Sequence, residues 1–270
     1  MKEKTNRRRF LASSAAALVT GFLPIPVLAG KSAQPIYQPN SSAEGLRFLF
    51  QGDSITDGNR GRNTDPNHIM GHGYAFAIAA RLGADFPLAG NVFYNRGISG
   101  NTVADLQKRW QPDTLDLRPD ILSVLIGIND AAAVVEHAAS AQTTDEFEAF
   151  YRTLLRAAKK ANPAILFILG LPFVYPVGKR KDQWAAWETA TTQRAVRVRK
   201  LALEYDALLV DYPALFDKAV TTTPIDYWIW DGIHPTVPGH ELMAREWIMR
   251  AANKLDFLKR YNELSAGGRE

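Results

Sequence analysis

Short apolar runs and longer helical periodicities take turns along most of the chain. Leu46 to Phe50, Val92 to Tyr94, Ile121 to Ile126, Ile165 to Leu169 and Ala207 to Val210 are predominantly apolar runs of strand length. Around them, apolar residues recur with helical spacing over Tyr74 to Leu82, Thr102 to Trp110, Asp145 to Ala161, Trp184 to Tyr205 and Gly239 to Lys254. A strand that is apolar throughout, rather than at alternate positions, has both faces covered, as strands of a parallel sheet do. Five such runs alternating with helices predict a three-layer α/β/α sandwich around a five-stranded parallel sheet. In sheets of this kind the reactive groups collect just beyond the carboxyl ends of the strands. The segments that follow each apolar run are therefore the ones to search for chemistry.

The ends of the chain depart from this pattern. Arg7-Arg8-Arg9-Phe10-Leu11 precedes an apolar stretch, Leu11 to Ala29, that closes on Val27-Leu28-Ala29. Residues 1–29 read as a twin-arginine signal peptide, cut after Ala29, which implies a periplasmic or secreted protein. Pro24 and Pro26 interrupt the stretch and Ser13, Ser14 and Thr20 dilute it, so no stable membrane anchor is expected once the leader is removed. Residues 30–45, with Pro35, Pro39 and Ser41-Ser42, read as an exposed lead-in. Residues 46–260 form one domain, and 261–270 a C-terminal tail.

Removing the leader changes the electrostatics. Lys2, Lys4, Arg7, Arg8 and Arg9 against Glu3 account for the whole formal net charge of +4. The remaining chain is close to neutral and has no basic block, so neither nucleic acid nor an anionic membrane is expected as a partner. There is no cysteine, which excludes disulfides, a thiol nucleophile and thiolate metal sites. With 46% apolar residues the chain can bury one sizeable core. Apolar residues on the helices fit a core and a subunit interface equally, so a homo-oligomer stays an open expectation.

The segment after the first apolar run contains Ser54, and a serine hydroxyl becomes nucleophilic only when a base takes its proton. Asp231 and His234, three residues apart in a loop with Gly232 and Pro235, offer a base and a carboxylate to orient it. Alone, this spacing is equally that of a helix-capping aspartate beside a surface histidine. Three donors are candidates for holding a negative tetrahedral oxygen: the backbone N–H groups of Ser54 and Gly97 and the side-chain amide of Asn129. Gly97 and Asn129 also read plainly as turn residues.

Co-occurrence and order of these segments carry more weight. Gly52-Asp53-Ser54-Ile55-Thr56-Asp57, Asn95-Arg96-Gly97-Ile98-Ser99-Gly100-Asn101-Thr102, Gly127-Ile128-Asn129-Asp130 and Asp231-Gly232-Ile233-His234-Pro235 appear in succession. The chain thereby resembles the SGNH hydrolases, also called the GDSL family, from about Phe48 to Ala251. The resemblance implies a flavodoxin-like fold and a serine esterase that needs no cofactor and no metal. It makes Ser54 the nucleophile, His234 the base, Asp231 its orienting partner, and Ser54, Gly97 and Asn129 the oxyanion hole.

Other hydrolytic and nucleotide sites fit worse. The α/β-hydrolase elbow would need glycine at Thr56, and Asn59-Arg60-Gly61-Arg62 is no phosphate-binding loop. His68 and His72 have helical ligand spacing, but Gly71 and Gly73 argue against a helix there. His137 and His240 read as exposed or capping residues.

Within the family, the second block with Asp105-Leu106 and Arg109-Trp110 is most similar to bacterial carbohydrate acetylesterases, including acetylxylan esterases. That resemblance implies an acetylated carbohydrate or another small ester as substrate. The absence of a long apolar insertion agrees with a short acyl group. Asp53, Tyr175, Trp228 and Trp230 are candidates for touching substrate, the aromatics as a sugar platform or else as loop packing. Arg62 and Asp57 are weaker candidates, with loop hydrogen bonding and capping as their default roles. Ala131-Ala132-Ala133 stands where relatives often carry a bulky residue. Lysophospholipases and thioesterases of the same family, and a non-catalytic carbohydrate-binding protein, are the alternatives.

Overall fold

A computed structural model describes residues 45–261. The leader, the lead-in apart from Gly45, and the tail from residue 262 lie outside the described residues. Strand β1 (Arg47–Gly52) pairs in parallel with β2 (Val92–Asn95) on one side and with β3 (Ile121–Leu125) on the other. Beyond β3 follow β4 (Leu166–Gly170) and β5 (Leu208–Val210), giving the all-parallel order β2-β1-β3-β4-β5. The expected five-stranded α/β architecture is therefore present, in the flavodoxin-like order whose direction of winding reverses between β1 and β3. The helices are α1 (Ser54–Asp57), α2 (Tyr74–Asp85), α3 (Val103–Trp110), α4 (Ile128–Val135) and α5 (Thr144–Ala161). They continue with α6 (Trp184–Glu204), α7 (Tyr212–Ala219), α8 (Ile225–Trp228) and α9 (Val237–Ala251).

Alternate strand residues feed two cores, one on each face of the sheet. Phe48 and Phe50 pack with Tyr74 and Ile78 of α2 and with Met243 and Trp247 of α9. Leu49, between them, packs on the opposite face with Leu106 of α3, Tyr151 of α5 and Val198 of α6. All are fully buried, each contributing about 1.5–3 kcal/mol relative to exposure. In the first of these cores Trp247 Nε1 donates to Ser123 Oγ at 3.0 Å. Among the described residues no helix is long and apolar enough to cross a membrane.

Helix starts follow local capping chemistry. Thr102 with Asp105 opens α3 and Thr143 with Glu146 opens α5, each pair forming a reciprocal capping box. Strand β1 runs past the apolar stretch through Gln51 and Gly52, which pair with Val124 and Leu125. Gln51 is buried there because its amide donates to Asp113 O at 2.9 Å and Thr114 Oγ1 at 2.8 Å. Periodicity does not predict helices α1, α4, α7 and α8. At four residues each, α1 and α8 span about one turn, too little to show a repeating apolar face.

Candidate active site

Ser54 is the first residue of α1, immediately past the end of β1. Asp53 caps that helix, its Oδ1 accepting from Ile55 N at 3.0 Å. The carboxyl group is 1% exposed and its Oδ2 has no partner. Burial pushes the Asp53 pKa up to about 7, against the pull of the Ile55 N–H and of nearby His234. Asp53 is thus a buried cap beneath the nucleophile rather than a group on the open surface.

His234 arrives from the other end of the chain. Asp231, Gly232 and Ile233 form a tight loop before α9, with Gly232 at φ +91°. A Cβ at Gly232 would lie 2.4 Å from Tyr175 O, so only glycine fits this turn. Asp231 Oδ1 accepts from the N–H groups of His234 at 2.7 Å and Ile233 at 3.0 Å. Its Oδ2 accepts from His234 Nδ1 at 2.7 Å. That bond places the imidazole hydrogen on Nδ1 and leaves the Nε2 lone pair to face Ser54 Oγ, 2.8 Å away. Burial opposes ionisation of Asp231, but the hydrogen bonds from His234 and from the two N–H groups outweigh it and hold its pKa at about 2. The hydrogen bond to Asp231 in turn raises the His234 pKa above 6.5, in spite of the ring's partial burial.

The second and third blocks come to the same edge of the sheet. Gly97 packs so tightly on α1 that a Cβ would sit 2.4 Å from Asp57 N. Its N–H donates to Asn95 Oδ1 at 2.9 Å, so among the expected oxyanion donors it is the one already engaged within the protein. Asn129, in the first turn of α4, donates one amide hydrogen to Asn101 O at 3.0 Å, and among the described residues the second has no partner. For the Ser54 N–H the structure shows no protein partner among the described residues.

Serine, imidazole and carboxylate in hydrogen-bonded sequence beside such donors make a hydrolytic site, and comparison with known proteins agrees. Residues 50–242 match the GDSL-like lipase/acylhydrolase family. The chain belongs to that family. It is 35% identical over 209 residues to an acetylxylan esterase of Geobacillus stearothermophilus, covering 76% of this chain and 93% of that protein. The crystal structure of Axe2, an acetylxylan esterase from the same organism, superposes with a TM-score of 0.67 at 34% identity, over 77% of this chain and 94% of that one. Two further Axe2 structures are of variants described as catalytic mutants, one with a serine and one with an aspartate replaced by alanine. A GDSL-like protein of Parabacteroides merdae superposes with a TM-score of 0.73 at 36% identity, over 78% and 97% of the two chains. The protein is a carboxylic ester hydrolase of the GDSL-like family.

The three aromatic candidates of this GDSL-like hydrolase separate in the structure. Trp230 stays at the site, 64% exposed, its ring 26° from parallel to that of His234 at 6.4 Å between centroids. Tyr175 turns its hydroxyl inward, donating to Pro213 O at 3.0 Å and Asp217 Oδ1 at 2.9 Å. Its main chain also acts locally, since Tyr175 N donates to Gly232 O at 2.8 Å and braces the loop of Asp231, Gly232 and Ile233. Trp228 lines a cavity of about 780 Å³ among residues of α7 and α9, a cavity that none of Ser54, Asp231 and His234 lines. Tyr175 is thus engaged within the protein and Trp228 faces a separate cavity, while Trp230 alone of the three stands open beside the imidazole.

Several residues that hold the site had only local readings in the sequence. Buried Asp57 accepts from both Arg62 Nη1 at 3.0 Å and Nη2 at 2.8 Å, and from Ser99 N at 3.0 Å and Oγ at 2.9 Å, tying the first block to the second. Asn95 Nδ2 donates to Thr56 O at 2.7 Å and Met70 O at 3.0 Å. His240 accepts from Tyr74 N at 3.1 Å and caps α2, and burial drives its pKa down to about 4. For Asn95 the signal was a polar residue at a strand end, which spacing alone does not separate from an ordinary turn.

Proposed function

We propose that the protein removes O-acetyl groups from carbohydrates through an acyl-Ser54 intermediate. The observation that carries this reading is the unbroken relay from Asp231 through His234 to Ser54 Oγ. Ser54 Oγ attacks the acetyl carbonyl carbon as its proton passes to His234 Nε2. The carbonyl oxygen, now negative, lies against the Ser54 N–H and the second Asn129 amide hydrogen; the Gly97 N–H joins them by sharing its bond to Asn95. Collapse breaks the ester bond, and His234 returns the proton to the departing sugar oxygen. Water repeats the sequence on the acyl-serine and releases acetate.

The acetyl preference draws support from the acetylxylan esterase relatives. It is consistent with the cavities as well. Those of about 780 and 300 Å³ are lined without Ser54 or His234, so neither offers a channel for a long acyl chain at the serine. Open Trp230 suits a pyranose face beside the imidazole. The leader at residues 1–29 would deliver this activity outside the cytoplasm.

Acetate release from acetylated xylan, acetylated pectin and simple sugar acetates, measured side by side, tests the reading. Wild type releases acetate and Ser54→Ala does not, while its thermal unfolding is unchanged. Acetate release by Ser54→Ala at the wild-type rate refutes the acyl-serine. Faster turnover of octanoyl than of acetyl esters would move the assignment to a lysophospholipase or thioesterase.

A further inference from the structure

Arg109, on the buried side of α3, is not accounted for by the triad. Its side chain is 14% exposed and its guanidinium reaches three separate segments at once: the end of β1, the Arg96–Asn101 loop and Asp113. Nη1 shares its two hydrogens among Arg96 O at 2.7 Å, Gln51 Oε1 at 3.0 Å and Asp113 Oδ2 at 3.0 Å. Nη2 approaches Gly52 O at 3.4 Å, and Nε donates to Asn101 Oδ1 at 2.8 Å. Two of these contacts bear on the oxyanion donors. Arg96 O belongs to the peptide whose nitrogen is Gly97 N. Asn101, held by its side chain, offers the backbone oxygen that takes the first Asn129 amide hydrogen at 3.0 Å.

We propose that Arg109 is a positioning residue for the oxyanion cradle, locking the Arg96–Gly97 peptide directly and the Asn129 amide through Asn101. The proposal rests on the reading that Asn129 stabilises the oxyanion. Oxyanion stabilisation works because its donors are fixed before charge develops and need no reorganisation at that moment. An amide on a single Cβ–Cγ bond is a poor fixed donor unless its other hydrogen is anchored, and here the anchor is Asn101 O. Loop backbone is equally soft unless tied down. A guanidinium is suited to this task, because its planar fork holds several acceptors in one geometry and its charge strengthens each bond. Asp113 balances that charge, so Arg109 stays buried without leaving an unpaired cation beneath the site.

The test is a double-mutant cycle on the full chain with p-nitrophenyl acetate, using Arg109→Met, Asn129→Ala and the pair. Arg109→Met lowers kcat roughly ten- to hundredfold with KM unchanged, as a loosened donor does. Asn129→Ala lowers kcat by about a hundredfold or more. Because part of the Arg109 effect runs through Asn129, Arg109→Met costs less in the Asn129→Ala background than in wild type, and what remains is the share carried by the Arg96–Gly97 peptide. Asn101→Ala, which removes only the Nε acceptor, carries the same cycle if Arg109→Met does not fold; its kcat loss of roughly three- to tenfold disappears in the Asn129→Ala background. Losses that multiply in full would overturn the proposal and leave the oxyanion reading standing. An Asn129→Ala enzyme with unchanged kcat would overturn both.

Discussion

Replacing Asp231 by asparagine separates what its charge does from what its shape does. The amide oxygen of the Asp231→Asn variant can take the place of Oδ1 and still accept from the N–H groups of Ile233 and His234, now at 3.0 and 2.7 Å, so the loop keeps its turn. Where Oδ2 now accepts from His234 Nδ1 at 2.7 Å, the variant presents an NH₂ group, and two donors would face each other. The imidazole escapes by moving its hydrogen to Nε2, which then points at Ser54 Oγ and can no longer take the serine proton. By the triad template such an exchange costs about 10⁴ in kcat, or about 5.4 kcal/mol of barrier at 1.36 kcal/mol per tenfold.

The effect on stability is far smaller. Asp231 sits at about 2 instead of an ordinary 3.8, worth at most about 2.5 kcal/mol at 1.36 kcal/mol per pKa unit. Because the side chain is 25% exposed, water screening brings that closer to 1 kcal/mol. A depressed carboxylate stabilises above its unfolded pKa and loses that contribution as pH falls through its folded one. The variant should therefore be slightly weaker than wild type in urea at pH 7, with the gap closing between about pH 4 and 2. Steady-state kinetics on p-nitrophenyl acetate read the first effect and urea unfolding the second. A kcat loss under tenfold would refute the tautomer argument, and a collapse of folding would refute the separation of charge from shape.

Two further outcomes follow from the same electrostatics. Since His234 must be neutral to act as base and its pKa lies above 6.5, kcat/KM should fall as pH drops through a midpoint above 6.5, and Asp231→Asn should move that midpoint down; a rate flat from pH 5 to 8 would exclude His234. Asp53, raised by burial from 3.8 to about 7, stabilises the fold below pH 4 and loses that stability as pH rises through 7. Asp53→Asn keeps the cap on Ile55 and should gain up to about 4 kcal/mol over wild type in urea melts at pH 8 and nothing at pH 4, whereas a gain equal at both pH values would show that ionisation is not its source.

Much of this molecule was legible in the order of its residues. The predominantly apolar strand runs gave away a parallel sheet because a strand buried on both faces has no polar side to display. Motif order brought Ser54 and Asn129 to one edge, since every strand of a parallel sheet delivers its following loop to the same end; the Asp231–His234 loop, between α8 and α9, reaches that edge by helix packing. Thr102 and Thr143 cap their helices through local bonds, which involve residues three apart and need no tertiary context.

Tertiary structure decided which way the polar groups point. Nothing near Arg109 in sequence says that its guanidinium meets Gln51, Arg96 and Asn101, because those partners come together only when β1, β2 and α3 pack. The Gly97 N–H turned to Asn95 rather than outward, and Tyr175 and Trp228 turned into the protein while Trp230 stayed out, for the same reason. Composition and spacing determine which residues must be buried and which loops share an edge. A hydrogen bond depends on a few tenths of an ångström and on angle, and across the 180 residues between Ser54 and His234 only the folded packing sets those.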